Sequence, residues 1–573
     1  MASFRRSLAA GLAWLSLLCL APAEIRYVLR PEPGRGVVDI EMRIDAAAPG
    51  QVVRIPAWSP GFYFLQDFQN SILNLRAVGD DDREIPLTRI DSRGWRLDHA
   101  GRAPVRVRYS VRGDEPGLGF FRVSVRPQTT FINGPGAFLF AEGRLDEPAR
   151  LTLQLPTGWD VATSMPRTSP NEFRSADYDD LIDHPIVLGR FERRTFKVEN
   201  IPFEAVFVTA SGPPGLDMAE ATRRLEAVSR AAIRMFGDTP FDRYLYIVLL
   251  AVGDFAGGLE HRSSSVMAIP NTMPDYFEEL AAHEIFHAWN VKQIRPKVLG
   301  PFDYTREART TSLWFVEGVT DYYGKLLAYR SGLRDREWLL DQISDEIRDL
   351  QFSRMRQLRT LEEASFSAWE HGGFGIGDLS YYTKGHVVGF LFDIAIREST
   401  KGQRSLDDVM RKLYARHRKP NPGFEEFDLL PAINGVAGRD LGGMYHQMVR
   451  TTLELPYEQV RAIGLRLLRP RESFPHPGFG LDGRTVVQVD PEMQDAGLRE
   501  GDRVVAVNGL PFDKVLLSPL LTAEEFVLLV ERGDSKLEVR GSLVYDRVTE
   551  FRLEVNPFAT PDERRLLEGW LRR

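Results

Sequence analysis

Residues 283–287 read HEIFH, and downstream Glu317 lies inside the apolar run LWFVEGVTDYYGKLL. On a helix, His283 and His287 stand at i and i+4 and project from one face, as two imidazoles on a single metal ion require. Glu284 lies beside them, placed to act on a water molecule there. The surrounding AAHEIFHAW is too apolar for a solvent-facing helix, and two histidines and a glutamate buried without a ligand would be costly. Two histidines with one carboxylate form a catalytic zinc set that leaves a fourth position open. Three carboxylates are candidates for the third ligand: Asp303, Glu307 and Glu317. Asp303 and Glu307 lie in the polar stretch DYTREART, which reads as loop; Glu317 lies in an apolar helix, where a lone carboxylate needs a partner.

The neighbourhood supplies further candidates. Asp321, one turn beyond Glu317, shares its face and is placed to accept a hydrogen bond from His283. Hydrolysis at zinc needs a donor for the developing oxyanion, and a phenol is suitable; Tyr382 in SYYTKGHVVGFLFDIAIR is the candidate. Upstream, residues 257–261 read GGLEH. Gly257 and Gly258 allow close backbone approach to a ligand, and Glu260 adds a fixed negative charge that suits a substrate's free α-amine.

The chain of 573 residues has room for about three or four domains. A formal net charge of -7 without a basic run argues against nucleic acid as a partner. Arg5 and Arg6, the apolar run 8–20 and Ala21-Pro22-Ala23 make an export signal, with cleavage expected after Ala23. No other stretch reaches the roughly 18 apolar residues of a membrane span, so no membrane association is expected after processing. Cys19, the only cysteine, falls in the signal. Leu18 before it is too bulky for a lipidation motif, and the mature chain has neither disulfide nor thiolate metal site. Such a chain suits a periplasmic or secreted protein.

Residues 24–205 alternate apolar and polar residues between Pro/Gly turns and predict a β-sandwich-like domain. Helical spacing sets in at 215–236, a strand follows at 244–252, and 272–460 is mostly helical. From about 462 the texture is β again. AGLREGDRVVAVNG (496–509) resembles the turn and strand of a PDZ domain, after which TAEEFVLLVERG reads as a helix.

These motifs, in order, resemble the glycyl aminopeptidase family of zinc metallopeptidases. PAWSPGFY (56–63) and LIDHPIVLG (181–189) look like its N-terminal markers, and GGLEH, HEIFHAWNVKQIRP, LWFVEGVTDYY and YYTKG like its catalytic ones. The resemblance implies a multidomain α+β protein: signal peptide 1–23, N-terminal β domain 24–205, thermolysin-like peptidase domain 206–460, PDZ domain 461–556 and helical tail 557–573. It implies one Zn2+ per chain on His283, His287 and Glu317, with Glu284 as general base. The chain is more distantly similar to the larger zinc aminopeptidases. In those, a Gly-x-Met-Glu-Asn loop takes the substrate amine and a Tyr-x-Lys-Gly tyrosine the oxyanion. Glu260 and Tyr382 correspond, although His261 replaces the Asn. Peptides with a free N-terminus and a small first residue, Gly or Ala, are the implied substrates. Gly478, Phe479, Gly480 and Leu481 have the pattern of a PDZ carboxylate loop for a peptide C-terminus, although a module that packs on the catalytic domain is the favoured reading of 461–556. The competing functions are a zinc endopeptidase, and a peptide-binding or chaperone-like protein with little catalysis; the complete set of expected catalytic residues opposes the latter.

Overall fold

The computed structural model describes residues 24–114, 120–209, 213–250, 256–371, 377–468, 471–482, 484–512, 525–549, 551–557 and 559–572. The expected signal peptide, with Cys19 and the cleavage position, lies outside the described residues.

Long alternating strands open the chain. Ile25–Glu32 buries every second residue, and Val37–Ala47 pairs with it antiparallel from Ile25↔Ile44 to Glu32↔Val37. They sit at the centre of an eight-stranded sheet that also takes Ala103–Arg112, Ile72–Gly79 and, in parallel, Ala149–Leu153. Two four-stranded sheets cover its apolar face, around Met42, Ile44, Val105, Val107, Phe138 and Leu139. The short helix Tyr178–Ile182 closes this part, with Asp177 capping its N-terminus.

The expected border at 205 falls inside a strand. Glu192–Val198 and Ile201–Thr209 join Tyr244–Leu250, Ser264–Ile269 and Gly257–Glu260 in the five-stranded sheet of the catalytic part. Local alternation marks strands but not the sheet they join, so the β texture runs past the true boundary. The central strands pair in parallel, whereas Gly257–Glu260 is an antiparallel edge. Helix Met218–Phe236 packs beneath, capped by Asp217 at its start and by left-handed Gly237 at its end. Its Phe236 ring stacks on Trp289 at 4.6 Å, just past the HEIFH helix. Helices Phe277–Phe286, Val319–Arg330 and Tyr381–Ser399 complete the core, all largely buried.

Beyond residue 464 a second β region returns to the catalytic part. Leu465–Leu468 pairs with Arg552–Val555, and Arg471–His476 with Val544–Thr549. Between them, Phe479–Asp482, Thr485–Val489, Arg503–Val507, Glu525–Arg532 and Ser535–Ser542 form an antiparallel sheet around Val504, Phe526 and Leu528. EFVLLVER is therefore a strand, not the helix expected there. Its burial alternates residue by residue, and a short apolar run reads equally as either element until its neighbours are known. Phe479, Gly480 and Leu481 likewise lie in an edge strand paired with Thr485–Val489, and only left-handed Gly478 remains outside it. Helix Pro561–Trp570 then buries Trp570 completely against Phe390 and Tyr322 of the catalytic core.

Candidate active site

The HEIFH helix ends at its second histidine. Regular helix stops at Phe286, and His287 is its C-cap, still right-handed, with its N–H on His283 O. His287 Nδ1 donates to Asn290 O at 2.6 Å, because a carbonyl can only accept. Nε2 of the neutral ring is thereby left as a bare lone pair, the state a metal needs. Asn290 is fully buried and its amide donates to Phe315 O and Thr320 Oγ1, both at 3.0 Å. It thus ties the histidine turn to the segment bearing Glu317.

Glu317 lies in a single π turn, Trp314–Gly318, where Val319 N bonds Trp314 O. Such widened turns recur at functional sites because they rotate a side chain out of the α register. Helix Tyr381–Ser399 crosses immediately over the turn. A Cβ on Gly385 would stand 2.6 Å from Trp314 O, and one on Gly318 2.5 Å from Gly385 Cα. The glycine of YYTKG is therefore what lets the Tyr382 helix approach the Glu317 turn.

His283 Nε2, His287 Nε2 and Glu317 Oε2 face one another at 3.0, 3.3 and 3.7 Å. Donors at about 2.0–2.1 Å from a tetrahedral zinc are about 3.3 Å apart, so this donor set fits zinc in chemistry and in spacing. Asp303 and Glu307 are elsewhere: Asp303 binds Thr305 and Arg306, and Glu307 binds Arg309.

A cavity of about 460 Å3 opens beside the three donors, lined by Gly257, Gly258, His283, Glu284, Asp321 and Tyr382. Glu284 is 3% exposed, and its Oε2 meets no protein partner among the described residues. Burial pushes its carboxyl well above the usual range, with the Glu260 and Glu317 charges adding to the rise and His287 opposing it. The edge strand reaches this carboxylate only because Gly258 lacks a side chain: a Cβ there would fall 1.9 Å from Glu284 Oε1. The Tyr382 ring stacks 6.3 Å from His283. Burial and the Glu317 charge hold its phenol well above the usual tyrosine range, so it stays a protonated donor.

Two expected roles look different in place. Asp321 Oδ1 comes no nearer than 3.9 Å to His283 Nδ1, beyond a hydrogen bond. Its other oxygen bonds His386 Nδ1 at 2.9 Å and the Lys325 ammonium at 2.8 Å. Lys325 also reaches Glu279 and Glu346, each at 2.9 Å. Asp321, Glu346 and His386 are close enough together to hold a metal, but Lys325 already brings a cation to both carboxylates. Glu260 is 4% exposed and lies behind the cavity wall. Lys292 Nζ is 3.7 Å from it, so a buried positive charge already faces this carboxylate.

The N-terminal domain contributes directly, which local pattern gave no means of seeing. Tyr63 of PAWSPGFY is 2% exposed, and its hydroxyl donates to Glu317 Oε1 at 3.3 Å, the oxygen turned away from the histidines. Trp58 of the same motif, fully buried, donates to Asp303 O and packs on Phe302 and Trp369. LIDHPIVLG works similarly. Asp183 binds Lys292 at 3.1 Å, His261 at 3.3 Å and Arg262 N at 3.0 Å, and Asp180 binds Arg262 at 2.7 Å. Burial alone would raise the Asp183 carboxyl; Lys292, His261 and Arg262 outweigh it and hold it well below the usual range. Both markers are thus docking surfaces for the catalytic domain.

Comparison with known proteins agrees with this architecture. Residues 27–190 match the Peptidase M61 N-terminal domain, and residues 276–388 match the M61 glycyl aminopeptidase. The fold is shared with an aminopeptidase N family protein from Idiomarina loihiensis, at 24% identity and a TM-score of 0.81 over 96% of this chain and all of that one. An M1 zinc metallopeptidase from Deinococcus radiodurans aligns at 16% identity and a TM-score of 0.48, over 76% of this chain and 94% of that one. No curated protein matches the chain. The matched segments are the ones that carry Tyr63, the two histidines, Glu317 and Tyr382: the chain contains a Peptidase M61 N-terminal domain and an M61 glycyl aminopeptidase domain, and it is a zinc metallopeptidase.

Proposed function

We propose that this zinc aminopeptidase is exported and removes small N-terminal residues, glycine or alanine, from peptides. The observation that carries the reading is the cavity lined by His283, Glu284, Tyr382 and the glycines of the edge strand, with His287 and Glu317 grouped with His283 at its side. His283, His287 and Glu317 would hold one zinc ion per chain. When bound, zinc supplies Lewis acidity, polarising a carbonyl and lowering the pKa of a water. Glu284 takes a proton from the attacking water and passes it to the leaving amine. Tyr382 donates its phenol proton as a hydrogen bond to the oxygen that gathers negative charge. Among the described residues Gly257–Glu260 is the edge of its sheet, so an extended peptide adds there as a further strand. Glu260 lies at the end of the edge strand, behind the cavity wall, and favours the substrate α-amine through its charge rather than by contact. Lys292 offsets much of its charge, so its contribution to affinity is small.

The decisive experiment compares glycyl- and alanyl-amides with their N-acetylated forms. An aminopeptidase loses activity on acetylation; equal rates would make the protein an endopeptidase. Export is supported by Arg5, Arg6, the apolar run 8–20 and Ala21-Pro22-Ala23. N-terminal sequencing of the mature protein is expected to start at Glu24, and retention of residues 1–23 would refute it.

For residues 461–556 we favour a PDZ-like module that serves structure rather than recruitment. Asp490 pairs with Arg354 of the catalytic part at 2.8 Å, and Leu553 N bonds Ser344 Oγ at 2.8 Å. Phe479–Leu481 pair with Thr485–Val489 on one side, so part of their backbone is already engaged in the sheet and only the outward-facing amides are left for a peptide carboxylate. Removal of residues 462–573 should lower the melting temperature and the activity even toward a dipeptide amide. Full activity, with C-terminal peptide binding by the separate module, would establish recruitment instead.

A further inference from the structure

A second cavity, of about 590 Å3, lies between the N-terminal domain and the catalytic domain. Arg295, from the segment that follows the HEIFH helix, lines it and is 8% exposed. Its Nε and Nη1 are buried and meet no acceptor among the described residues. A guanidinium has five donors and no way to shed its charge, so burying it unpaired is costly.

The nearby acids are already engaged. Asp183 serves Lys292, His261 and the Arg262 amide. Asp180 serves Arg262 Nη1, and Asp179 accepts from Tyr304 Oη at 2.5 Å. Asp177 caps the helix Tyr178–Ile182, and Asp146 is exposed at the rim. Lys419, across the cavity, forms no ion pair with any described residue. The cations consequently repel one another. Burial and Arg262 lower the Arg295 guanidinium, with Asp179 opposing; desolvation of the ammonium end of a residue otherwise exposed, with Arg262 and Arg295, brings the Lys419 amine down to about 8 against the opposing charges of Asp183 and Asp179.

We propose that this cavity is an oxyanion-binding site, in which the unpaired Arg295 guanidinium and the Lys419 amine hold one carboxylate or phosphate group between the two domains. A planar guanidinium matches either oxyanion, and the charge-assisted hydrogen bonds formed there would satisfy donors the protein leaves unmet. The site is separate from the catalytic cavity, on the other side of Lys292.

Calorimetric titration of the intact, zinc-loaded protein with inorganic phosphate, at fixed ionic strength, tests this. A parallel acetate arm tells a carboxylate from a phosphate site, and a chloride arm reads nonspecific screening. One saturable site per chain is expected for phosphate or acetate. Arg295→Gln should weaken it at least tenfold and Lys419→Gln several-fold, with hydrolysis of a glycyl-amide kept by both. If Arg295→Gln does not fold, Lys419→Gln decides, since that side chain stands at the surface. No saturable heat with either oxyanion, an equal response to chloride, or affinity that survives the deciding substitution would overturn the proposal.

Discussion

Glu317 and Asp321 are one helical turn apart, and each gathers histidine and carboxylate around it, yet the two clusters are opposites. The first brings His283, His287 and Glu317 within 3.7 Å of one another and, among the described residues, has no lysine or arginine paired with its carboxylate. The second collects Asp321, Glu279, Glu346 and His386, and Lys325 closes it with three contacts of 2.8–2.9 Å. The Asp321 carboxyl, which burial would raise, is held far below its usual range chiefly by that lysine. One site waits for an exchangeable cation; the other carries a tethered one. The contrast shows that donor spacing alone does not mark a metal site: what separates the clusters is whether the chain provides its own positive charge.

The contrast can be broken most severely at Glu317. Glu317→Ala should abolish metal retention and activity, whereas Glu307→Ala and Asp303→Ala should leave both; atomic absorption on the purified variants measures it, and metal retained without Glu317 refutes the donor set. Next in size is chemistry without metal loss. Glu284→Gln should keep the metal and lose about 10²–10⁴ in kcat. Tyr382→Phe should lose about 10²–10³. An unchanged kcat in Tyr382→Phe removes the phenol from the mechanism.

Lys325→Met converts the second cluster into a group without its cation. Breaking one buried pair costs ~3–5 kcal/mol, so chemical denaturation should show a loss of that order. Added Ca2+ or Mn2+ should recover part of it, by occupying the emptied position. Stability unaffected by Lys325→Met would show that the carboxylates need no cation. The smallest effect is expected at Tyr63. Loss of a hydrogen bond to a ligating carboxylate typically costs 10–100-fold in metal affinity, so Tyr63→Phe should raise the zinc Kd about tenfold while melting of the apo protein is unchanged. An unaltered Kd would make Tyr63 a packing residue only.

What could be read from residue order tracks how local each feature is. HEIFH sits within one helix, and Glu317 announces itself as a carboxylate in an apolar run. Tyr382 was accessible from the chemistry it would serve. Tyr63 acts on Glu317 across 254 residues, a contact that no window contains. Asn290 adjoins a recognisable motif, but its role needs the positions of Phe315 and Thr320. Asp321 faces the histidines as helical spacing requires, while its stronger partners, His386 and Lys325, capture it. In the fold, the strand at 525–532 was hidden by an ambiguous apolar run. The true domain boundary was hidden because strands of two different sheets share one alternation.

The helix Pro561–Trp570 has a temporal implication. Trp570 Nε1 donates to Tyr322 Oη at 2.9 Å, and Tyr322 in turn donates to Asp393 at 2.8 Å, so the tryptophan belongs to the interior that supports Asp321 and Glu317. Tyr329, on the same helix as Tyr322, donates to Leu571 O. A ribosome meets these residues long after it has made the helices that carry His283, His287 and Glu317. The catalytic core therefore cannot complete its packing during synthesis of its own segment. It must wait, partly open, until the β region has emerged and the final helix can dock.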